Sequence, residues 1–217
     1  MPTEADCLEM TKRIEDSLSV LHTSRLFYRE FLNIIKSNPR LLELERNHFL
    51  IWIADNYLYS AAMSLRRILD TGKGHISIYK LFDALEVNKH LLTKTSYMTR
   101  FTADCTDSVL AKICFAKLAE YGHVDGLNLQ ILRTQIESFS SNWERLEDYA
   151  NERIAHEARN PSEELPTVSD LDICIDKTTE VMRLIIAYLK FASIPSFEPV
   201  FLYDWKEIFS FPWIEDQ

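Results

Sequence analysis

Arg153 and His156 stand three residues apart, with Asn151 and Glu152 just before them and Arg159, Asn160 and Pro161 just after. Residues three or four apart on a helix are neighbours, so the Arg153 guanidinium and the His156 imidazole share a face. Glu152, four before His156, can orient the ring. A histidine near its ordinary pKa of ~6.5 takes and gives protons at neutral pH. A guanidinium grips a phosphate bidentately and stabilises charge on five-coordinate phosphorus. The pair suits metal-independent RNA cleavage, in which the 2′-hydroxyl attacks the adjacent phosphodiester. A plainer reading stands beside it: His156, Arg159 and Asn160 complete a helix C-terminus, where cations and carbonyl-binding side chains are favoured.

Other chemistries find little support. The six histidines are scattered, with no HExxH, EF-hand loop or paired ExxH motif, so neither a metal nor a cofactor is expected. Asp170, Asp172 and Asp176 read as acids at a helix N-terminus, where the dipole favours them. Gly72-Lys73-Gly74 lacks the preceding strand and the spacing of a phosphate loop, and no nucleophile-elbow motif is present.

The elements that must position Arg153 and His156 are helices. Leu129, Leu132, Ile136, Phe139, Trp143, Leu146 and Ala150 alternate three- and four-residue gaps, the seam of a helix packed lengthwise in a bundle. The same count puts Arg153 at the next seam position, and Asn160-Pro161 ends the helix. Upstream, a first helix is expected over about 5–37, closed by Asn38-Pro39. A second runs over about 40–70, with seam Leu44, Ile51, Ala54, Leu58, Ala61, Leu65 and Ile68. Beside that seam runs a polar stripe of Asp55, Tyr59, Arg66 and Asp70.

Ser77 caps a short helix carrying Ile78, Leu81, Phe82 and Leu85. The Thr-rich stretch 93–106 reads weakly. Leu110, Ile113, Cys114, Lys117 and Leu118 restore the helical period before the break at 122–126. Ser169 and Asp172 resemble a capping box opening a last helix to about Ser193. An aromatic tail follows, with Phe197, Phe201, Tyr203, Trp205, Phe209, Phe211 and Trp213, too apolar to hang free.

Composition agrees with this outline. Of 217 residues, 47% are apolar and only four are glycine, enough for one core and too few turns for a β-rich chain. The net charge of −9 repels phosphate backbones overall, so any nucleic-acid contact needs a local basic patch. Cys7, Cys105, Cys114 and Cys174 are not in CxxC spacing and read as free thiols of a reducing compartment. The start carries no secretory signal, and apolar runs such as 184–188 are too short to span a membrane. A cytoplasmic protein with no membrane partner is expected.

Three pieces, in this order, carry a family resemblance: residues 57–70 (YLYSAAMSLRRILD), 76–82 (ISIYKLF) and 151–156 (NERIAH). Over roughly residues 45–160 the chain resembles the HEPN-like AbiU family of abortive-infection proteins. The resemblance implies an antiparallel helical bundle, usually dimeric. It also implies a metal-independent endoribonuclease in phage defence or a toxin–antitoxin pair, with two subunits' sites meeting at the dimer interface. The family's catalytic motif is an Arg, often followed by a polar residue, then a His four to six residues on. Here His156 matches the His and Asn151 the polar residue, but the Arg position falls on Ala150.

The expected fold is therefore all-α, an antiparallel up-and-down bundle of five or six helices over residues 1–195. An aromatic extension, 196–217, packs on the bundle or on a partner subunit. In the ribonuclease reading His156 is general acid/base, Arg153 holds phosphate and Asn151 orients substrate or imidazole. Arg66 is a supporting cation and Asp55 a polar partner from the facing helix. The expected partners are a second copy, RNA or a nucleotide, and a cognate antitoxin protein. Two other readings remain: a non-catalytic HEPN-like module that binds nucleotide, RNA or protein in the same pocket, and a structural bundle whose aromatic tail docks a partner.

Overall fold

The computed structural model describes residues 1–42, 47–72, 75–104, 107–155, 165–191 and 196–211. Their regular structure is helical; the one β-type pairing is an isolated bridge between Thr93 and Gly126. The first helix, α1, spans Glu4–Lys36 and opens with a capping box. The Thr3 hydroxyl accepts from the Asp6 N–H, and the Asp6 carboxylate accepts from the Thr3 N–H at 2.6 Å. Its buried face, Cys7, Thr11, Ile14, Leu18 and Leu21, alternates four- and three-residue steps.

The second long helix expected over 40–70 is two elements, α2 over Pro39–Leu42 and α3 over His48–Leu69. Asn47 opens α3: its side-chain oxygen accepts the Leu50 N–H, satisfying one of the donors that a helix start leaves without a partner. The expected seam holds at Ala61, Leu65 and Ile68 but fails at Ile51, which is 56% exposed. The seam residue Leu44 lies outside the described residues.

The next helix, α4 (Ile78–Val87), starts at Ser77 and fully buries Ile78, Leu81, Phe82 and Leu85. Where the Thr-rich stretch read weakly, the chain is helical: α5 covers Lys94–Asp104. Tyr97 and Phe101, one turn apart, decide it. They bury into a ring cluster with Phe115, Tyr188 and Phe191, and that burial outweighs the modest helix propensity of threonine. The cluster also chooses the face of α6 (Ser108–Ala119). Ala111, Phe115 and Leu118 turn inward, whereas Leu110 and Ile113, expected on the apolar face, are exposed.

All seven residues of the seam from Leu129 to Ala150 are buried. The rod that carries them is divided, however, into α7 (Leu129–Glu137) and α8 (Ser140–Tyr149). The joint is at Ser138, whose hydroxyl donates to the Gln135 carbonyl, and at Phe139, which leaves helical geometry at φ −117° and ψ 21°.

The last helix, α9 (Val168–Lys190), is the centre of the bundle, touching α1, α3, α7 and α8. Its capping box lies two residues before the expected one, with Thr167 as the cap and Asp170 as its partner. It ends at Phe191, in the left-handed region at φ 53°, rather than near Ser193. Asp170 also ties α9 to α8 by accepting from the Asn142 amide at 2.7 Å and from Arg145. Burial opposes its ionisation, but these bonds and those from Thr167 outweigh burial and hold its carboxyl well below the usual carboxylate range.

Helices α1 and α9 run antiparallel. Glu15 meets Lys190, His22 meets Thr179 at 2.8 Å, Arg25 meets Asp176 at 2.6 Å and Arg29 meets Asp172 at 2.9 Å. The acids at 172 and 176 therefore pair with arginines of α1. The aromatic segment lies along the outer half of the same helix. Phe197 stacks on His22, Trp205 meets Phe27 edge-on at 4.6 Å, Phe209 lies by Phe31, and Lys206 pairs with Glu30. Cys7, Cys114 and Cys174 are free thiols; Cys105 lies outside the described residues.

Candidate functional site

The chain leaves α8 through a π-helical turn, Ala150–Ala155. Here the hydrogen bonds run from i to i+5, so each turn takes in more residues than in an α-helix. That shift undoes the seam count. Ala150 is wholly buried, whereas Arg153, expected in line with the core, stands exposed, with Asn151 and Glu152 half-buried beside it. His156 lies outside the described residues, as do Arg159, Asn160 and Pro161.

Helix α3 faces this turn. The rings of Tyr59 and Tyr149 meet at 5.9 Å. Burial, the hydrogen bond with Tyr59 and the charge of Asp55 together push the Tyr149 phenol well above its ordinary range; Arg153 pulls the other way. Tyr149 therefore stays protonated at neutral pH as a hydrogen-bond donor. Asp55 and Arg153 both act on that one phenol, so these two of the residues nominated from sequence share a neighbourhood, with Asn151 on the same turn.

Arg66 is not with them. It is eleven residues beyond Asp55 on α3, about 16 Å along the axis at ~1.5 Å per residue. Its charge acts instead on Glu147, whose pKa burial raises and Arg66 opposes, with Asp148, Asp70 and Glu144 adding to the rise. The Tyr59–Tyr149 pair was not foreseen. Tyr59 belongs to the polar stripe of the second helix, and Tyr149 sits between seam residues, where spacing alone gives it no role.

A second polar constellation, also unforeseen, lies between α1 and α9. Arg25 donates to Nδ1 of His22 at 3.2 Å, so the ring proton is on Nε2 and donates to the Thr179 hydroxyl, which in turn donates to the Ile175 carbonyl at 2.6 Å. These groups satisfy one another, and Phe197 covers the ring. Burial first, then the Arg25 cation, depresses the His22 pKa to about 4, with Asp176 acting weakly against the shift and Arg183 and Arg29 with it. An unfolded histidine titrates near ~6.5. Between those values the unfolded chain binds more protons, so stability falls as pH drops through that window. Developed in full near pH 4, the loss is about 3 kcal/mol at ~1.4 kcal/mol per unit. Urea midpoints at pH 7 and 4.5 check this. His22→Gln is expected to lose less between the two pH values than the parent protein; equal losses would assign the acid sensitivity elsewhere.

Among the described residues no group of three or more His, Cys, Asp or Glu side chains could hold a metal ion, and no helix is long and apolar enough to cross a membrane. Among the described residues, the π turn and the helix end before it carry the exposed Arg153 guanidinium, the Asn151 amide and the Tyr149 phenol.

Compared with known proteins, the chain matches the family model HEPN_AbiU2, described as AbiU2, over residues 5–199. Neither a curated protein nor a solved structure matches it.

Proposed function

The chain belongs to the AbiU2 family of HEPN domains, and from that premise we propose that it is a metal-independent endoribonuclease serving phage defence or a toxin–antitoxin pair. The observation that supports this most is the π turn. Such turns recur at functional sites, and this one brings Arg153 out of the core seam to where a phosphate can reach it. In this reading His156 takes the proton from an RNA 2′-hydroxyl as the 2′-oxygen bonds to phosphorus. The P–O5′ bond breaks, and the departing 5′-oxygen gains a proton. Arg153 neutralises charge on the phosphoryl oxygens and Asn151 orients the phosphate. Asp55 orders the Tyr59–Tyr149 pair, and Arg66 adds positive charge further along α3. The working unit is a cytoplasmic homodimer held in check by a cognate antitoxin protein.

A second reading, a non-catalytic module that binds RNA, nucleotide or a protein, draws support from Ala150. The position where the family's motif places Arg is filled here by a fully buried alanine.

The test is incubation of the purified protein with RNA in excess EDTA. The ribonuclease reading expects cleavage that leaves 2′,3′-cyclic phosphate and 5′-hydroxyl ends. RNA binding without cleavage would hand the protein to the second reading.

A further inference from the structure

A groove of about 580 Å³ opens between α1 and the C-terminal end of α3, floored by Ile14 and Ile68 and rimmed by Arg13, Arg66, Arg67 and His75. Five of the bundle's other arginines pair with carboxylates: Arg25 with Asp176, Arg29 with Asp172, Arg100 with Glu4, Arg133 with Asp83 and Arg145 with Asp170. Arg66 and Arg67 form no ion pair among the described residues. Arg13 gives Glu9 only its Nε, at 2.7 Å. The one carboxylate on the rim, Asp70, is turned to the loop, where it accepts the Gly72 N–H at 2.7 Å. In a chain of net charge −9 the groove's own charged lining is basic apart from Asp70, and the carboxylate that Arg66 acts on, Glu147, lies outside it on α8.

Met63 and Arg66, which line the groove, share a face of α3 with Tyr59, the residue that meets Tyr149 beside the π turn. Tyr59, Met63 and Arg66 follow at i, i+4 and i+7, so one surface carries an exposed aromatic ring, then an apolar patch, then cations. Aromatic faces interleaved with guanidiniums are what single-stranded nucleic acid uses: bases stack, phosphates pair. From Tyr59 to Arg66 the helix rises about 10 Å, more than one phosphate bridges. We propose that the groove is a phosphate-binding track for single-stranded RNA, leading along α3 from the Tyr59–Tyr149 pair to Arg66, Arg67, Arg13 and His75. This rests on the ribonuclease reading for its direction toward the π turn.

The experiment titrates the full chain with a labelled single-stranded RNA of about 20 nucleotides, longer than the ~4–16 nucleotides such surfaces cover. Affinity is followed against salt for the parent protein, Arg67→Gln, the Arg66→Gln/Arg67→Gln pair and, as a control away from the groove, Lys112→Gln. Each lost phosphate contact reduces the slope of log affinity against log salt by about 0.7 for single strands, so the pair is expected to reduce it by roughly 1.4. Lys112→Gln should leave the slope unchanged. Thermal melts confirm that each variant is folded.

Unchanged slopes in both groove variants overturn the proposal, as does binding of ATP in place of RNA, which would make the groove a nucleotide pocket. Cleavage is read on the same samples. RNA held with groove-dependent affinity but never cut leaves the track standing and removes the nuclease. Cutting with groove-independent affinity does the reverse, and no RNA binding removes both.

Discussion

His156→Ala is expected to lower RNA cleavage by roughly 10²–10⁴-fold, the range a positioned acid/base contributes, while RNA affinity stays nearly unchanged. Affinity for RNA rests on the permanently charged guanidiniums and ammoniums that meet its phosphates. A histidine that must be neutral to take the 2′-hydroxyl proton also predicts that cleavage falls as pH drops and histidine protonates, a dependence absent from any residual activity of the variant. Arg153→Lys should lose cleavage as well, since an ammonium keeps the charge but not the two-pronged grip. Initial rates in EDTA, with binding measured by anisotropy on the same preparations, separate the steps. Full activity in a folded His156→Ala protein would end the assignment of that histidine, and with it the mechanism.

How much of this was legible in the sequence depends on what each feature is made of. The seam from Leu129 to Ala150 is a matter of apolar spacing, and each of its residues is buried. Spacing carries no record of hydrogen-bond ring size. The break at Phe139 and the π turn at Ala150–Ala155 therefore left no mark on it, and the count carried Arg153 into a core it does not enter. Faces chosen by distant partners were hidden for a similar reason. The α6 face is set by Phe115 meeting Tyr97, eighteen residues earlier, and not by the apolar residues of α6 itself. Short-range chemistry fared unevenly. Ser77 was readable as a cap because an apolar run follows at once, whereas Thr167 gave way to Ser169 because both precede an aspartate by three residues. At the candidate site, residue types drew attention to Asp55 and Arg66 together. Helix rise separates them and leaves Asp55 with Tyr149 and Arg66 with Glu147.

Ala150→Arg, which restores the arginine of the family's motif, is expected to destabilise the fold by about 4 kcal/mol or more. Ala150 has no accessible surface, and it closes α8 where the π turn packs against α3. A longer side chain there overpacks the seam, which typically costs about 1–3 kcal/mol. A guanidinium without a partner in that place adds a burial cost of about 3–5 kcal/mol, less whatever its stem recovers by reaching outward. Ala150→Leu separates the two contributions, since it brings volume without charge. Urea midpoints of the three proteins should fall in the order parent, Ala150→Leu, Ala150→Arg. The outcome also bears on chemistry. If Ala150→Arg kept the parent's midpoint and gained RNA cleavage, the guanidinium would be finding an anion or the Asp55 carboxylate at the π turn, and the alanine would be a lost catalytic residue. Destabilisation with no gain in cleavage would mean that this chain has given the motif's first position to its core, and that the cation facing a phosphate at this turn is Arg153.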